Sequence, residues 1–287
     1  METARYKVTG GEKISLRDYS TRADKSVDKG EAKDKLMPDN IAKMAELQEK
    51  LYAENRHALL IVLQAMDAAG KDGIIRHVMT GLNPQGTRVV SFKVPSSEEN
   101  DQGYLWRINK ALPPRGEIGI FNRSHYEDVL VARVHDLVQF SQLPPELVTK
   151  DIWDRRYRQI RDFERYLDEN GTKVIKIFLH VSKDEQRDRL LDRINQPDKN
   201  WKFSAGDIQE RKHWDKYMSA YESMLEHTAT REAPWFVVPA DSKWFARYLV
   251  SQIVLETLRE IDPQIPELPE AERAKLEECR RILEEDA

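Results

Sequence analysis

The sequence predicts an α/β fold, a parallel sheet held between layers of helices, and three observations carry that expectation. Short unbroken apolar runs recur at 57–64, 87–92, 117–122, 173–179 and 234–240, and runs of this length suit strands covered on both faces. The segments between several of them carry helical patterning, and strands that alternate with helices imply crossover connections and a parallel sheet. The first run also passes directly into a glycine-lysine loop followed by a helix-patterned segment.

Taken in order, residues 1–36 are polar and charged, with DKSVDKGEAKDK as the clearest loop-like stretch. They are expected to form an arm that lies over the fold or is partly disordered. Pro38 opens PDNIAKMAELQEKLYAEN, where Ile41, Met44, Ala45, Leu47, Gln48 and Leu51 fall near helical spacing, so a helix is expected to start there. The strand 57–64 follows. Helical patterning recurs at 97–112 and 150–170, between later strands. From 180 to 233 the chain makes a long excursion, two helical stretches joined by NQPDKNWKFSAGD. An insertion of that size in an α/β domain is more often a functional lid than a plain connection. A helix at 242–260, the segment DPQIPELPE and a charged helix at 270–285 complete the chain. The expected organisation is an arm at 1–36, one domain at 37–261 with its lid at about 183–227, and a tail at 262–287.

Composition narrows the function classes. A 287-residue chain with 40% hydrophobic content can bury a large core. No apolar run approaches the roughly 20 residues of a membrane-spanning helix, and the N-terminus has neither a signal-peptide core nor a transit composition. A cytoplasmic protein without a membrane partner is therefore expected. Cys279 is the single cysteine, which rules out an intrachain disulfide and a cysteine-based zinc site; no role is assigned to it. Charged residues are 33% of the chain but the formal net charge is only −4, so no global field attracts nucleic acid and any polyanion site must be local.

The loop after the first strand reads AMDAAGKDG, residues 65–73. Small residues such as Ala68, Ala69, Gly70 and Gly73 let the backbone approach phosphate, successive N–H groups cradle it, and the following helix adds positive potential at its N-terminus. Lys71 supplies a point charge. The usual pattern is G-x-x-x-x-G-K-[ST]; here Ala65 replaces the first glycine and Asp72 the hydroxyl residue. The alternative is a plain turn at Gly70 with Lys71 solvated in the first helical turn, but strand, loop and helix in this order favour a phosphate site. Asp67 would repel naked phosphate. It makes sense as the ligand of a magnesium ion shared with the phosphates, with manganese as a possible substitute.

A second group of polar residues follows the strand at 117–122: Asn122, Arg123, Ser124, Glu127 and Asp128. Open α/β sheets bind ligands at the C-terminal ends of their strands. Arg123 can clamp phosphate oxygens bidentately, and Glu127 can orient a metal-bound water or part of a nucleotide. The structural alternative is a capping box, with Ser124 as N-cap and Glu127 three residues on.

AMDAAGKDG, FNRSHYEDVLV, RDRLLDRINQPDKNWKFSAGDIQERKHWDKYMSAYESML and APWFVVPADSKWFAR together resemble the polyphosphate kinase 2 family over about 40–260. That resemblance implies a thymidylate-kinase-like P-loop fold, a three-layer sandwich with a helical lid, in which inorganic polyphosphate and magnesium phosphorylate nucleotides. The form FNRSHYED is similar to the class III branch, which implies that both AMP and ADP are acceptors. The family commonly carries Asp in place of Asn122 and Gly in place of Ala65, which leaves Asp67 as the surer metal ligand. The resemblance also implies that Arg189 and Arg193 belong to a donor-binding lid, with Lys199 and Lys202 available to track further phosphates. From 183 to 216 nine Lys or Arg face eight Asp or Glu, so charge balance alone does not distinguish this lid from a salt-bridged surface pair of helices. The expected function is polyphosphate-dependent nucleotide phosphorylation, by Asp67, Lys71, Arg123 and Glu127, in a chain whose charged C-terminal helix can support a homo-oligomer. The alternatives are an ATP-dependent nucleoside monophosphate kinase on the same fold and a non-enzymatic nucleotide-binding switch.

Overall fold

The computed structural model describes residues 3–286. Each of the five apolar runs is a strand: β2 Ala58–Gln64, β3 Thr87–Ser91, β4 Ile118–Asn122, β5 Thr172–His180 and β6 Trp235–Pro239. A further short strand, β1 at Lys7–Val8, was not foreseen. Among the described residues the six form one sheet in the order β1-β6-β5-β2-β4-β3. All neighbours are parallel except β1, which adds antiparallel to β6. Two residues carry too little patterning to read as a strand; pairing with the edge of β6 makes them one.

The main helices are α1 Met37–Glu54, α2 Lys71–Val78, α3 Val131–Val134, α4 Ile152–Glu169, α5 Lys183–Asn195, α6 Ala205–Arg211, α7 Trp214–Thr228, α8 Lys243–Ile261 and α9 Glu270–Glu285. Helix α8 packs on α1 and α2, while α4 packs on α7 and β5, which gives the three-layer sandwich. β2 is buried along its whole length, and each fully buried Leu, Ile or Val there contributes roughly 1.5–3 kcal/mol. Because Leu63 of β2 lies opposite both Asn122 of β4 and Ile177 of β5, the C-terminal ends of the three central strands come level and open onto one crevice.

Two expectations are corrected. The first helix does not start at Pro38: helical backbone begins at Lys29 and passes through a π stretch at Ala32–Leu36 into α1. In that wide turn the Met37 N–H reaches back to the Ala32 carbonyl, so Pro38, which has no N–H to give, sits inside a helix without breaking it. Residues 97–112 hold only two short helical turns, Ser97–Asn100 and Trp106–Lys110, because they wall a cavity instead of covering the sheet. Of the two forms expected for the arm, the hydrogen bonds suit one lying over the fold: Thr21 donates its hydroxyl to Asp241 (2.7 Å), the Asp241 N–H donates to the Thr21 carbonyl (2.9 Å) and the Leu16 N–H donates to Glu222 (2.8 Å).

Candidate phosphotransfer site

The loop 65–70 leaves β2 and turns into α2 through two left-handed residues, Ala68 at φ 61° and Gly70 at φ 118°. A side chain is strained in that region, most of all at Gly70, which caps α2. Lys71, 9% exposed, folds back so that its Nζ donates to the carbonyls of Ala65 (2.8 Å) and Met66 (3.4 Å). Burial, and to a lesser degree the Arg123 charge, lower its pKa to about 8 against the pull of Asp67, Glu127 and Asp72. An ammonium held this way gains a stronger partner when phosphate arrives.

The strand-end residues of β4 meet this loop. Arg123 adopts φ 62°, a conformation uncommon for such a side chain and typical of functional loops. Its guanidinium pairs with Asp67 and with Glu127, the latter at 3.0 Å. The Asn122 amide donates to Asp72 (3.0 Å), tying strand end to loop. Ser124 is buried and accepts from the Tyr126 N–H and the Gln64 amide, both at 3.2 Å. Ser124 is thus a cap as the alternative expected, but the capping box does not form: the Glu127 carboxylate turns to Arg123 instead of the cap's N–H. Gly73 lies within α2, and a Cβ there would stand 3.5 Å from the Arg247 guanidinium.

The lid arginines divide. Arg193 pairs with Asp207 at 2.8 Å. Arg189, which the resemblance places with Arg193 in a donor-binding lid, is only 6% exposed. Its Nε donates to Glu185 (2.7 Å), Nη1 to the carbonyls of Ala68 (3.1 Å) and Ala69 (2.6 Å), and Nη2 to those of Ala240 (2.6 Å) and Asp241 (3.1 Å). The fork fastens the phosphate loop to the end of β6. Lys199 lies 3.7 Å from Asp192, and Lys202 stacks over the Trp201 ring.

Two features escaped the sequence. The side chains of Arg76, Lys243 and Arg247 make no hydrogen bond or ion pair among the described residues. Burial, then Arg189 and Arg76, lower the pKa of Arg247; burial, then Arg189 and Lys199, lower that of Lys243. Arg247 and Lys243 are thus both repelled by Arg189, the arginine that holds the loop, while Glu185 and Asp192 pull Lys243 the other way. On the other side a cavity of about 950 Å³ lies between residues 94–107 and 128–159, lined by Tyr104, Trp106, Arg107, Asp128, Phe140 and Arg156. Burial pushes the Asp128 carboxyl up to about 6, opposed by Arg156 and Arg107. Aromatic residues in an otherwise polar stretch, Tyr104 and Trp106, were the one signal for it.

A buried ammonium at the mouth of a glycine-capped helix, faced by an arginine across the crevice and flanked by the inserted helix α5, suits in parallel α/β folds the holding and passing of phosphoryl groups. The fold and site define a P-loop phosphotransferase. Residues 26–266 match the model of the polyphosphate kinase 2 family, and the chain belongs to that family. It is 48% identical over 285 residues, 99% of both chains, to the ADP-polyphosphate phosphotransferase of Rhodopseudomonas palustris. It is 50% identical to the AMP/ADP-polyphosphate phosphotransferase of Meiothermus ruber, over 82% of this chain and 84% of that one. The crystal structure of polyphosphate kinase 2 from Arthrobacter aurescens TC1 superposes with a TM-score of 0.86 over 97% of each chain, at 41% identity.

Proposed function

We propose that the chain transfers the terminal phosphoryl group of inorganic polyphosphate to nucleotides, making ADP from AMP and ATP from ADP. The observation that carries the donor is the group of Arg76, Lys243 and Arg247. Like charges without a carboxylate partner weaken a fold, and cations gathered around Arg189 and Gly73 beside the phosphate loop suit an anion with more phosphates than ATP carries. The cavity beside Asp128 is within the size range of small-molecule sites, and its aromatic and acidic lining suits a base and a ribose. Terminal phosphate oxygens of AMP or ADP are already anionic, so one of them attacks the donor's last phosphorus in line. The bridging P–O bond breaks and the shortened chain leaves without a general base. Lys71 and Arg123 neutralise the charge that gathers there.

Among the described residues no group of three or more His, Cys, Asp or Glu side chains forms a metal cage. That donor set fits a magnesium ion held by one carboxylate, Asp67, together with substrate phosphates, the usual manner for this ion. Bound there, it supplies Lewis-acid neutralisation of phosphate charge. Arg123 engages Asp67 through Oδ1, so this ion pair has to loosen as the site loads.

Purified protein with magnesium, polyphosphate and AMP, and no nucleoside triphosphate, is expected to yield ADP and then ATP by nucleotide chromatography. ADP alone removes diphosphates as acceptors. Product only after ATP is added replaces this proposal with an ATP-dependent monophosphate kinase. No helix of the described residues is long and apolar enough to cross a membrane, and a cytoplasmic site of action is part of the proposal. So is a homo-oligomer, on the exposed Leu276, Ile282 and Leu283 of α9; a monomeric mass by light scattering ends that part.

A further inference from the structure

Lid segment 196–213 is fastened on its donor side by several bonds. Arg193 pairs with Asp207 at 2.8 Å, and Arg211 donates to the Lys183 carbonyl (2.7 Å) and to Gln186 (2.8 Å). Gln186 in turn donates to the Asp67 carbonyl at 3.0 Å. Toward the acceptor side, among the hydrogen bonds and ion pairs of the described residues, the segment has one link. Glu210 of α6 accepts from His135 Nε2 at 2.8 Å, and His135 stands just after α3, in the stretch that follows Arg123 and Glu127. Tyr217 of α7 donates its hydroxyl to the same Glu210 oxygen at 2.5 Å.

Glu210 also lines, with Asp67, Arg123, Glu127, Tyr217 and Tyr221, a cavity of about 20 Å³ over the phosphate loop. A space of that size holds about one water molecule. A carboxylate facing Asp67, Glu127 and incoming phosphates is electrostatically unfavourable unless it is paired, and His135 and Tyr217 occupy the oxygen that links the two walls.

We propose that Glu210 is a positioning residue, the latch by which the lid closes against the acceptor-side wall and keeps water from the phosphoryl group in transfer. The consequence for chemistry rests on the polyphosphate reading above, while the latch itself does not. With the latch broken, a water oxygen replaces the nucleotide oxygen. It forms the new bond to the terminal phosphorus and the bridging P–O bond breaks. Orthophosphate and the shortened chain leave, and the water's protons pass to phosphate and solvent.

The test compares wild type, Glu210→Ala, His135→Ala and the double variant in two measurements. In ligand-free protein, amide hydrogen exchange across 205–213 should quicken in each single variant, and the double should be no faster than Glu210→Ala, because the His135–Glu210 link is already lost there. With magnesium, polyphosphate and AMP, orthophosphate released per ADP formed should rise roughly tenfold in each variant, while the heat-melting midpoint stays near that of wild type. A purely structural role for Glu210 lowers the melting midpoint without changing that ratio. Unchanged exchange at 205–213 in Glu210→Ala, additive effects in the double variant, or an unchanged ratio overturns the latch. Absence of nucleotide product from wild type overturns the donor assignment instead, and the exchange measurement still judges the latch.

Discussion

At the scale of single residues the site is a set of charges held under tension. Lys71 is the clearest case, since burial brings its ammonium down from an ordinary 10.5 to about 8. Between those two values the unfolded chain holds a proton that the folded chain has released, so folding stability rises with pH across that window and the charge opposes folding below it. Lys71→Met is accordingly expected to abolish turnover yet melt no earlier than wild type at pH 7; early melting would make Lys71 a structural residue. In the intact enzyme kcat/KM for the donor should fall as pH rises through about 8, where the free protein loses the charge. The fall in kcat should come at higher pH, because bound phosphates stabilise the ammonium. A kcat/KM profile flat from 7 to 9 contradicts this assignment. Arg189 belongs to a different class from Lys71. Its guanidinium donates to Glu185 and to four backbone carbonyls, so Arg189→Ala should lose stability on the order of 3 kcal/mol along with activity. Arg193→Ala, which opens one partly exposed pair, should cost under about 1 kcal/mol. Chemical denaturation of the two variants distinguishes them, and equal losses would refute the division.

At the scale of elements, the loop of β4 is backed by charges inside the core. Lys176 of β5 is fully buried and pairs with Glu164 of α4; it also donates to the Thr228 carbonyl at 2.7 Å. Glu164 accepts the Tyr126 hydroxyl at 2.6 Å and lies 3.5 Å from His125. Burial lowers the Lys176 pKa; for Glu164 burial pulls the other way, but Lys176 and His125 together outweigh it and hold the carboxyl below its ordinary value. Tyr126 packs edge-on against Trp235 of β6, 4.8 Å between ring centroids. The network therefore joins sheet, helix and the residues beside Arg123. Removing one partner strands the other, so Lys176→Met or Glu164→Gln alone should each cost about 3–5 kcal/mol. The double variant should be less destabilised than the sum of the singles, and strict additivity in urea melts would show that the two are not coupled. Periodicity found β5 but treated Lys176 as one more residue of KVIKIFL. Pattern reports that a strand is covered, and partner identity lies on a helix 12 residues earlier.

At the scale of the whole molecule, the arm and lid are joined through Asp241. Its carboxylate accepts both the Thr21 hydroxyl and the Ser182 N–H that opens α5 (2.8 Å), and its carbonyl accepts Arg189. Deleting residues 1–28 should thus speed hydrogen exchange at 182–189 more than in β2, whose partners are β4 and β5. Equal change in both would reduce the arm to general stabilisation.

The parallel sheet, the glycine turn at 65–70 and the helix that follows it were legible along the chain, because strand burial, glycine at a left-handed turn and a charge at a helix start are local properties that leave local patterns. The helix start at Lys29 was not legible, since a π turn leaves no composition signal and Pro38 points to the wrong boundary. Nor was the burial of Arg189, whose carbonyl partners come from the loop at 68–69 and from 240–241. Spacing placed Arg189 and Arg193 on one face of α5, but which of them meets the phosphate loop and which meets α6 depends on how the lid folds back over the sheet. The cation group and the cavity at Asp128 have the same origin. Their members come from separate helices and loops, and long-range packing alone brings such charges and rings to one surface.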